Sequence, residues 1–242
     1  NCSLSNISGL SNAKHLKYLD ISGNAISDLS PLSFLENLSV LNSSSNALTS
    51  LSPLSALKNL TELDVSYNSL VSLAPLATCP KLSMLSATNN RIASIPVFDD
   101  PSVLTALNLA DNELTNLDTL PNYICLETLD LSRNQISDVS KLSEMRLLSI
   151  VNLSHNNITT LPSWSTGCEL VELDASYNKI TSVAPLGGLG KLNYVTLDYN
   201  KITNINPLAD CHMLVRVSVY GNSVRDVSKL TAMSVIVNYS AT

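Results

Sequence analysis

The sequence predicts an α/β-type solenoid, in which short repeats are stacked with a parallel β-sheet along one face. Three observations predict it. A period of 22 residues runs through the chain, each period opens with alternating apolar and polar residues, and each closes with apolar residues spaced by three. Aliphatic side chains must fill the interior, because apolar residues make up 45% of the 242-residue chain and aromatic residues only 5%. A chain of this length can bury a substantial core.

The period is carried by columns of equivalent residues. One column is always asparagine, and an aliphatic residue follows two positions later. The asparagines are Asn24, Asn46, Asn68, Asn90, Asn112, Asn134, Asn156, Asn178, Asn200 and Asn222. A leucine column starts at Leu16 and is expected to run to Ile236 without insertion or deletion. Regular spacing of this kind is the sequence signature of a stacked repeat protein.

Each repeat divides into a strand and a returning segment. The stretch "LKYLDI" at 16–21 alternates apolar and polar residues, which is typical of a short strand. Apolar residues every three positions, as in Ile26, Leu29 and Leu32, suit a turn or 3₁₀ segment. Prolines recur in this returning segment, at Pro31, Pro53, Pro75, Pro185 and Pro207. Each column asparagine is expected to point into a sharp bend and to bond backbone groups stranded there.

The full unit reads L-x-x-L-x-L-x-x-N-x-I-x-x-L-x-P-L-x-x-L, which is the leucine-rich repeat signature. The sequence therefore predicts a right-handed leucine-rich repeat solenoid with the sheet on the concave face and turn or 3₁₀ segments on the convex face. The stretches "NAISDLSPLSFLENL", "NQISDVSKL" and "NKITSVAPLGGLGKL" resemble repeats of internalins, bacterial surface proteins. They are also similar to the 22-residue repeats of a regulator of protein phosphatase 1. Both resemblances imply a scaffold that displays a binding surface.

The repeats are expected to form a single domain over residues 1–242, of about eleven periods. Internalins usually carry a helical cap and an immunoglobulin-like domain, and neither is evident in this sequence. Solenoid ends expose apolar surface unless they are capped. We therefore expect the chain to be part of a longer protein, or its uncapped termini to make end-to-end contacts with partners.

Composition and motifs argue against several function classes. The net charge is −6 and the Lys and Arg residues are scattered, which argues against nucleic-acid partners. No run of 18 apolar residues is present, so insertion into a membrane is not expected. His15, His155 and His212 lie in different columns, and none shares a face with a nucleophile and an orienting acid. The sequence predicts no catalytic residues, no metal site and no cofactor, and hence no enzyme.

The cysteines are interpreted as unpaired thiols, and the aromatic residues Phe98 and Trp164 are interpreted as interior residues. Cys79, Cys125, Cys168 and Cys211 are each about two repeats from the next, too far apart for disulfides. Cys125 and Cys168 lie off the buried column and are expected to be partly exposed. Phe98 and Trp164 belong to repeats with irregular outer segments, where a large ring would fill the gap in the core.

Tyrosine is concentrated on the strand face. Four positions per repeat should face the concave side, those of Tyr18, Asp20, Ser22 and Gly23, and these columns hold six of the eight tyrosines. From the seventh repeat onward the face becomes large and charged. Its predicted binding residues are His155, Glu172, Tyr177, Tyr194, Asp198, Tyr199, Arg216 and Tyr220. Tyrosine anchors with mixed charges on a rigid sheet favour recognition of a partner, although a solvated sheet without a ligand is the alternative.

Two functions follow from these features. The first is an extracellular or cell-surface bacterial module for binding or adhesion, which recognises a protein or glycan through the concave sheet. The second is a cytoplasmic scaffold that regulates a partner such as a phosphatase, which the unpaired thiols favour.

Overall fold

The computed structural model describes residues 3–120 and 123–240. The chain divides into two compact units. The first unit comprises Asn1–Leu114 and Thr119–Cys125, and the second comprises Thr115–Asp118 and Leu126–Thr242. Each unit is built from consecutive repeats. The assignment of residues 1–242 to a single domain stays a prediction.

Short parallel strands line one face of each unit. The first unit contains β1 (Tyr18–Asp20), β2 (Val40–Asn42), β3 (Glu62–Asp64), β4 (Met84–Ser86) and β5 (Ala106–Asn108). The second contains β6 (Thr128–Asp130), β7 (Ile150–Asn152), β8 (Glu172–Asp174), β9 (Tyr194–Thr196), β10 (Arg216–Val219) and β11 (Ile236–Tyr239). Within each unit every strand pairs in parallel with the strands of the adjacent repeats. The predicted leucine-rich repeat solenoid is confirmed.

The returning segments are mostly single 3₁₀ turns, as predicted. They span Ser8–Leu10, Ser30–Leu32, Ser52–Ala56, Ala74–Thr78, Ser140–Glu144, Ala184–Leu186 and Asn206–Asp210. Proline occupies the first or second position of five of these turns, where its missing N–H leaves no acceptor unpaired. The last repeat contains a short α-helix, α1 (Ser228–Ala232). In the part of the chain that the structure describes, no helix has the length and apolar character needed to cross a membrane.

The column asparagines connect adjacent repeats. The side-chain amide of Asn68 donates to the carbonyl oxygens of Val65 and Ser66 in its own repeat, at 3.0 and 3.1 Å, and to Ser43 of the preceding repeat at 3.1 Å. Its carbonyl oxygen accepts the Leu48 N–H at 2.9 Å. One half-buried side chain therefore satisfies four backbone groups at the bend, which confirms the role expected for this column.

Large rings replace the 3₁₀ turn in the irregular repeats. Phe98 and Trp164 are buried, with 4% and 5% of their surface exposed, as the sequence predicts. Tyr123 is fully buried, packs edge-on against Phe98 at 6.1 Å between ring centroids, and donates to the Pro96 carbonyl at 3.3 Å. Burial raises the pKa of the Tyr123 hydroxyl. Cys168 is buried here too, so the expectation that it is partly exposed is wrong, whereas Cys125 is partly exposed.

The register changes in the last repeat, where the expected 22-residue period fails. Arg216 pairs with Tyr194, 22 residues earlier, but with Ile236, only 20 residues later. Ile236 therefore leaves the buried leucine column and is 50% exposed, and Val235 is buried instead. Ser234 closes the shorter connection in a left-handed conformation, with φ of 63°.

Candidate functional site

The strand face is built by the alternation of side chains along each strand. In β3, β8 and β9 the first residue is exposed, the second is buried and the third is half-buried. The Tyr18 and Gly23 columns are mostly exposed, and the Asp20 column is mostly half-buried. The Ser22 column is less exposed than the sequence predicts, since Ser66, Ser132, Ser154 and Ser176 are all buried. In that column Asp198 is half-buried and Tyr220 is exposed.

A left-handed residue follows each strand turn. Every described residue of the Gly23 column has positive φ, between 52° and 56° at Ser45, Tyr67, Asn89, Asp111, Arg133, His155, Tyr177 and Tyr199, and 64° and 70° at Gly23 and Gly221. Glycine, asparagine and aspartate accept this conformation readily, whereas other residues are strained in it. Tyrosine and histidine at these positions therefore cost folding free energy. Strain of this kind tends to occur at functional sites.

Four aromatic side chains form a continuous row across consecutive repeats, and we call His155, Tyr177, Tyr199 and Tyr220 the aromatic ladder. His155 stacks on Tyr177 with ring centroids 4.2 Å apart and planes 9° from parallel. Tyr177 stacks on Tyr199 at 4.5 Å and 20°. Tyr220 closes the row edge-on, 5.7 Å from Tyr199. The ring spacing is close to the separation of ~4.8 Å between adjacent strands, so the strand repeat itself places the rings in contact.

The aromatic ladder presents ring edges and polar tips to solvent. The faces of Tyr177 are covered by its neighbours on both sides, so its hydroxyl and ring edge are what a partner would meet. The pKa of the Tyr199 hydroxyl is raised, first by desolvation and then by the nearby Tyr177, Tyr220 and Asp198. The hydroxyl is therefore protonated at neutral pH and can donate a hydrogen bond.

The Tyr199 ring occupies the space that a side chain at Gly221 would fill. A Cβ atom at this position would lie 2.7 Å from Cδ1 and 3.2 Å from Cγ of Tyr199. Contacts that close do not occur between real side chains, and the nearness of Cγ means that the whole ring would have to move. The absence of a side chain at Gly221 is thus part of the geometry of the aromatic ladder.

Asp198 holds Tyr220 in position. In most repeats an Asp or Asn at the third strand position accepts the backbone N–H two residues on, as Asp174 does from Ser176 at 2.9 Å. In β9 and β10 that position is held by Thr196 and Ser218 instead. Asp198 replaces the missing acceptor, since its Oδ1 accepts the Tyr220 N–H and the Ser218 hydroxyl, both at 2.7 Å. One oxygen of this predicted ligand-binding residue therefore positions the aromatic ladder.

A shallow hollow lies at the other end of the same strands, and we call it the Tyr194 hollow. It has a volume of about 330 Å³ and is lined by Glu172, Tyr194, Val195, Thr196 and Arg216. Tyr194 pairs in register with Glu172 on one side and Arg216 on the other, as the sequence predicts. Thr196 stands here at the strand position that holds Asp or Asn in most repeats.

Comparison with known proteins identifies the repeat. A family model described as "Leucine rich repeat" matches residues 14–70 and 124–180, and one described as "Leucine Rich repeats (2 copies)" matches residues 58–100 and 168–210. The chain belongs to the leucine-rich repeat proteins. No curated protein matches its sequence.

Solved leucine-rich repeat structures from bacteria and plants resemble this one. A leucine-rich repeat protein of Leptospira interrogans superposes with a TM-score of 0.84 at 26% identity, over 95% of this chain and 61% of that one. The functional domain of InlJ, from Listeria monocytogenes, superposes with a TM-score of 0.71 at 28% identity, over 94% of this chain and 53% of that one. The third structure is the ectodomain of the receptor kinase GASSHO1/SCHENGEN3 from Arabidopsis thaliana, solved in complex with CASPARIAN STRIP INTEGRITY FACTOR 2. It superposes with a TM-score of 0.80 at 25% identity, over 98% of this chain and 32% of that one. This leucine-rich repeat chain thus resembles internalins but spans only part of these relatives.

The strand face of the first unit differs in character from that of the second. Its polar side chains bond one another: Ser66 with Ser86 at 2.8 Å, Thr88 with Asn108 at 2.8 Å, and Asn89 with Asp111 at 2.5 Å. Two tyrosines also lie on this face: Tyr18, in β1, and Tyr67, a left-handed residue that is 56% exposed and flanked by Ser45 and Asn89. All eight residues of the predicted site lie in the second unit, in or directly after β7 to β10.

Sequence reasoning missed three features of this surface. The left-handed column could have been recognised from the frequent Gly, Asn and Asp residues at equivalent positions. Gly221 carries no signal of its contact with Tyr199, because that contact depends on the orientation of the ring. The two-residue shortening before β11 is visible when "SKLSEMRLLSIVN" at 140–152 is set beside "SKLTAMSVIVN" at 228–238. Among the residues described, no group of His, Cys, Asp or Glu is arranged to hold a metal ion.

Proposed function

We propose that this leucine-rich repeat chain is a non-enzymatic binding or adhesion module of a bacterial cell-surface or secreted protein. It recognises its ligand, a protein or a glycan, through the concave strand face of β7 to β10. The aromatic ladder carries the proposal, because the left-handed positions do not require an aromatic ring and Gly or Asn would adopt that backbone with less strain. Leucine-rich repeat proteins are typically interaction modules, which fits this interpretation.

The physical basis of binding is pre-organisation. The rings of the aromatic ladder are already stacked, and Gly221 and Asp198 fix its last members, so little side-chain entropy is lost when a ligand binds. Tyrosines of this kind at the centre of an interface commonly contribute about 2 kcal/mol or more each.

The surface location is supported by the bacterial neighbours, an internalin of Listeria and a leucine-rich repeat protein of Leptospira. A cytoplasmic scaffold that regulates a partner such as a phosphatase is the second candidate. The free thiols of Cys79, Cys125, Cys168 and Cys211 favour it, since thiols persist in reducing compartments. Antibody labelling of intact cells of the source organism separates the two, because only a surface protein is labelled without permeabilisation.

Binding is tested with two probes, a phage-displayed library of random twelve-residue peptides and a glycan array. The ligands they yield are then measured against Tyr199→Asn and Tyr177→Asn. Asparagine is chosen because it accepts the left-handed backbone while it removes the ring. We expect each change to weaken binding roughly thirtyfold, which corresponds to about 2 kcal/mol.

Tyr67→Asn is the matched control, since Tyr67 occupies the same column with the same backbone conformation in the first unit. It should leave binding unchanged, as should Ser86→Ala. Equal losses at Tyr67 and Tyr199, or no ligand from either probe, would contradict the proposal.

A further inference from the structure

The Tyr194 hollow differs from the aromatic ladder in that its ring and charges have no partners. Within residues 3–120 and 123–240 the only ion pair is between Lys191 and Glu169, and neither the Glu172 carboxylate nor the Arg216 guanidinium makes a side-chain hydrogen bond. Tyr194 is 44% exposed and stacks on no other ring, in contrast to Tyr177 and Tyr199. The hollow therefore offers an open ring between two unused, opposite charges.

The spacing of these groups is set by the sheet. Glu172, Tyr194 and Arg216 are register partners on three successive strands. With strands ~4.8 Å apart, the Cα atoms of the acidic and basic residues lie about 10 Å apart, with the ring midway. The direction is fixed, because the carboxylate belongs to β8 and the guanidinium to β10.

We propose that the Tyr194 hollow binds a peptide segment of a protein partner that carries one basic and one acidic side chain, and that the two charges fix its direction across the strands. The basic group pairs with Glu172, the acidic group with Arg216, and the side chain between them packs on the Tyr194 ring. This inference rests on the function proposed above and narrows its ligand to a protein. A neutral glycan would cover Glu172 and Arg216 without pairing either charge, which is unfavourable.

Exposed ion pairs contribute more to orientation than to affinity. The decisive observation is therefore a change of preference after the charges are exchanged, rather than a loss of affinity alone. The exchanged protein carries Glu172→Arg together with Arg216→Glu. Both side chains are exposed and neither makes a side-chain hydrogen bond or ion pair, so we expect thermal unfolding to be the same for the exchanged and original proteins.

The probe is a phage-displayed library of random twelve-residue peptides, selected on the original protein. We expect the enriched peptides to contain a basic and an acidic residue, and to bind the exchanged protein at least tenfold more weakly. Peptides in which the two charged residues are themselves exchanged should recover binding to the exchanged protein and lose it to the original. Such reciprocal recovery is specific to direct charge pairing.

Three outcomes would overturn the inference. They are enriched peptides without a charged pair, peptides that bind both proteins equally well, and a library that yields no peptide while the glycan array yields a ligand. The proposed function is tested separately by Tyr199→Asn. If peptides ignore the charge exchange but are weakened by Tyr199→Asn, only the role of the hollow is wrong. Peptides that ignore both changes contradict the proposed function as well.

Discussion

At the scale of single residues, the residue after each strand turn has a structural role and carries the candidate ligand contacts. Its backbone is left-handed in every described repeat, a conformation that suits Gly, Asn and Asp. The chain nevertheless places Tyr at 67, 177 and 199 and His at 155. Any substitution in this column changes backbone strain and surface chemistry together, so the two effects must be separated by the choice of replacement.

Tyr67→Asn should stabilise the protein by about 0.5–1 kcal/mol, because asparagine relieves the left-handed strain and Tyr67 has no stacking partner to lose. Urea unfolding measures this change. The control is Tyr18→Asn, which removes an exposed ring from an ordinary strand residue, where asparagine is disfavoured. We expect the free energy of unfolding to rise for the variant at position 67, and to fall or stay unchanged for the variant at position 18. If both variants shift in the same direction, backbone strain is not the cause.

Asn68→Ala should destabilise the fold by about 1–3 kcal/mol, since it leaves the Leu48 N–H and up to three carbonyl groups without their partner at a partly buried bend. Chemical denaturation provides the measurement. Gln135→Ala removes an exposed amide instead and should change the free energy of unfolding by less than about 0.5 kcal/mol. Similar losses in both variants would argue against the bridging role of the asparagine column.

At the scale of elements, the aromatic ladder depends on the repeat that follows it. Tyr199 leans over Gly221, and the N–H of Tyr220 bonds Asp198 of the preceding repeat. Adjacent strands thus position one another's exposed side chains, and a residue outside the aromatic ladder can still decide where a ring lies.

Gly221→Ala should weaken binding of the selected peptides or glycans, because the new methyl group displaces the Tyr199 ring. Gly188→Ala is the matched control. Gly188 also has positive φ, of 80°, but a Cβ there meets nothing within 4 Å. Both variants should lose about 1 kcal/mol of stability from backbone strain. Only Gly221→Ala should reduce affinity, as measured by calorimetry, and equal affinities would show that ring position does not matter.

At the scale of the whole molecule, acid stability is expected to depend on aspartates distributed through both units. Five carboxylates each accept hydrogen bonds from the serine two residues on, which lowers the pKa of Asp20, Asp28, Asp100, Asp138 and Asp226. A lowered folded pKa adds stability that is fully present above the unfolded value of about 3.9 and is lost as the pH falls through the folded value.

The free energy of unfolding should therefore stay level from pH 7 to about pH 5 as far as these groups are concerned, and should fall below about pH 4. A variant with all five residues changed to Asn keeps the hydrogen-bond acceptors but cannot titrate there. Its stability should fall less between pH 4 and pH 2 than that of the original protein. Parallel acid dependence of the two proteins, followed by urea unfolding at each pH, would assign the loss to other carboxylates.

The sequence by itself determined the repeat, the strand and return segments, the bridging asparagines and most of the exposed columns of the strand face. These features follow from periodic burial, since equivalent residues in neighbouring repeats meet the same surroundings. It also located the tyrosine-rich end of that surface and the placement of Tyr194 between Glu172 and Arg216, because strand register preserves the 22-residue period there.

Only the tertiary structure decided the stacking of the aromatic ladder, the burial of Tyr123 and the way in which the two-residue shortening is accommodated before β11. Ring stacking depends on side-chain rotation about left-handed backbones, and the sequence pattern does not specify it. Tyr123 was drawn inward because an irregular return segment left space beside Phe98. The shift at β11 arose because a connection two residues shorter could close through a left-handed Ser234, which moved Ile236 out of the core column.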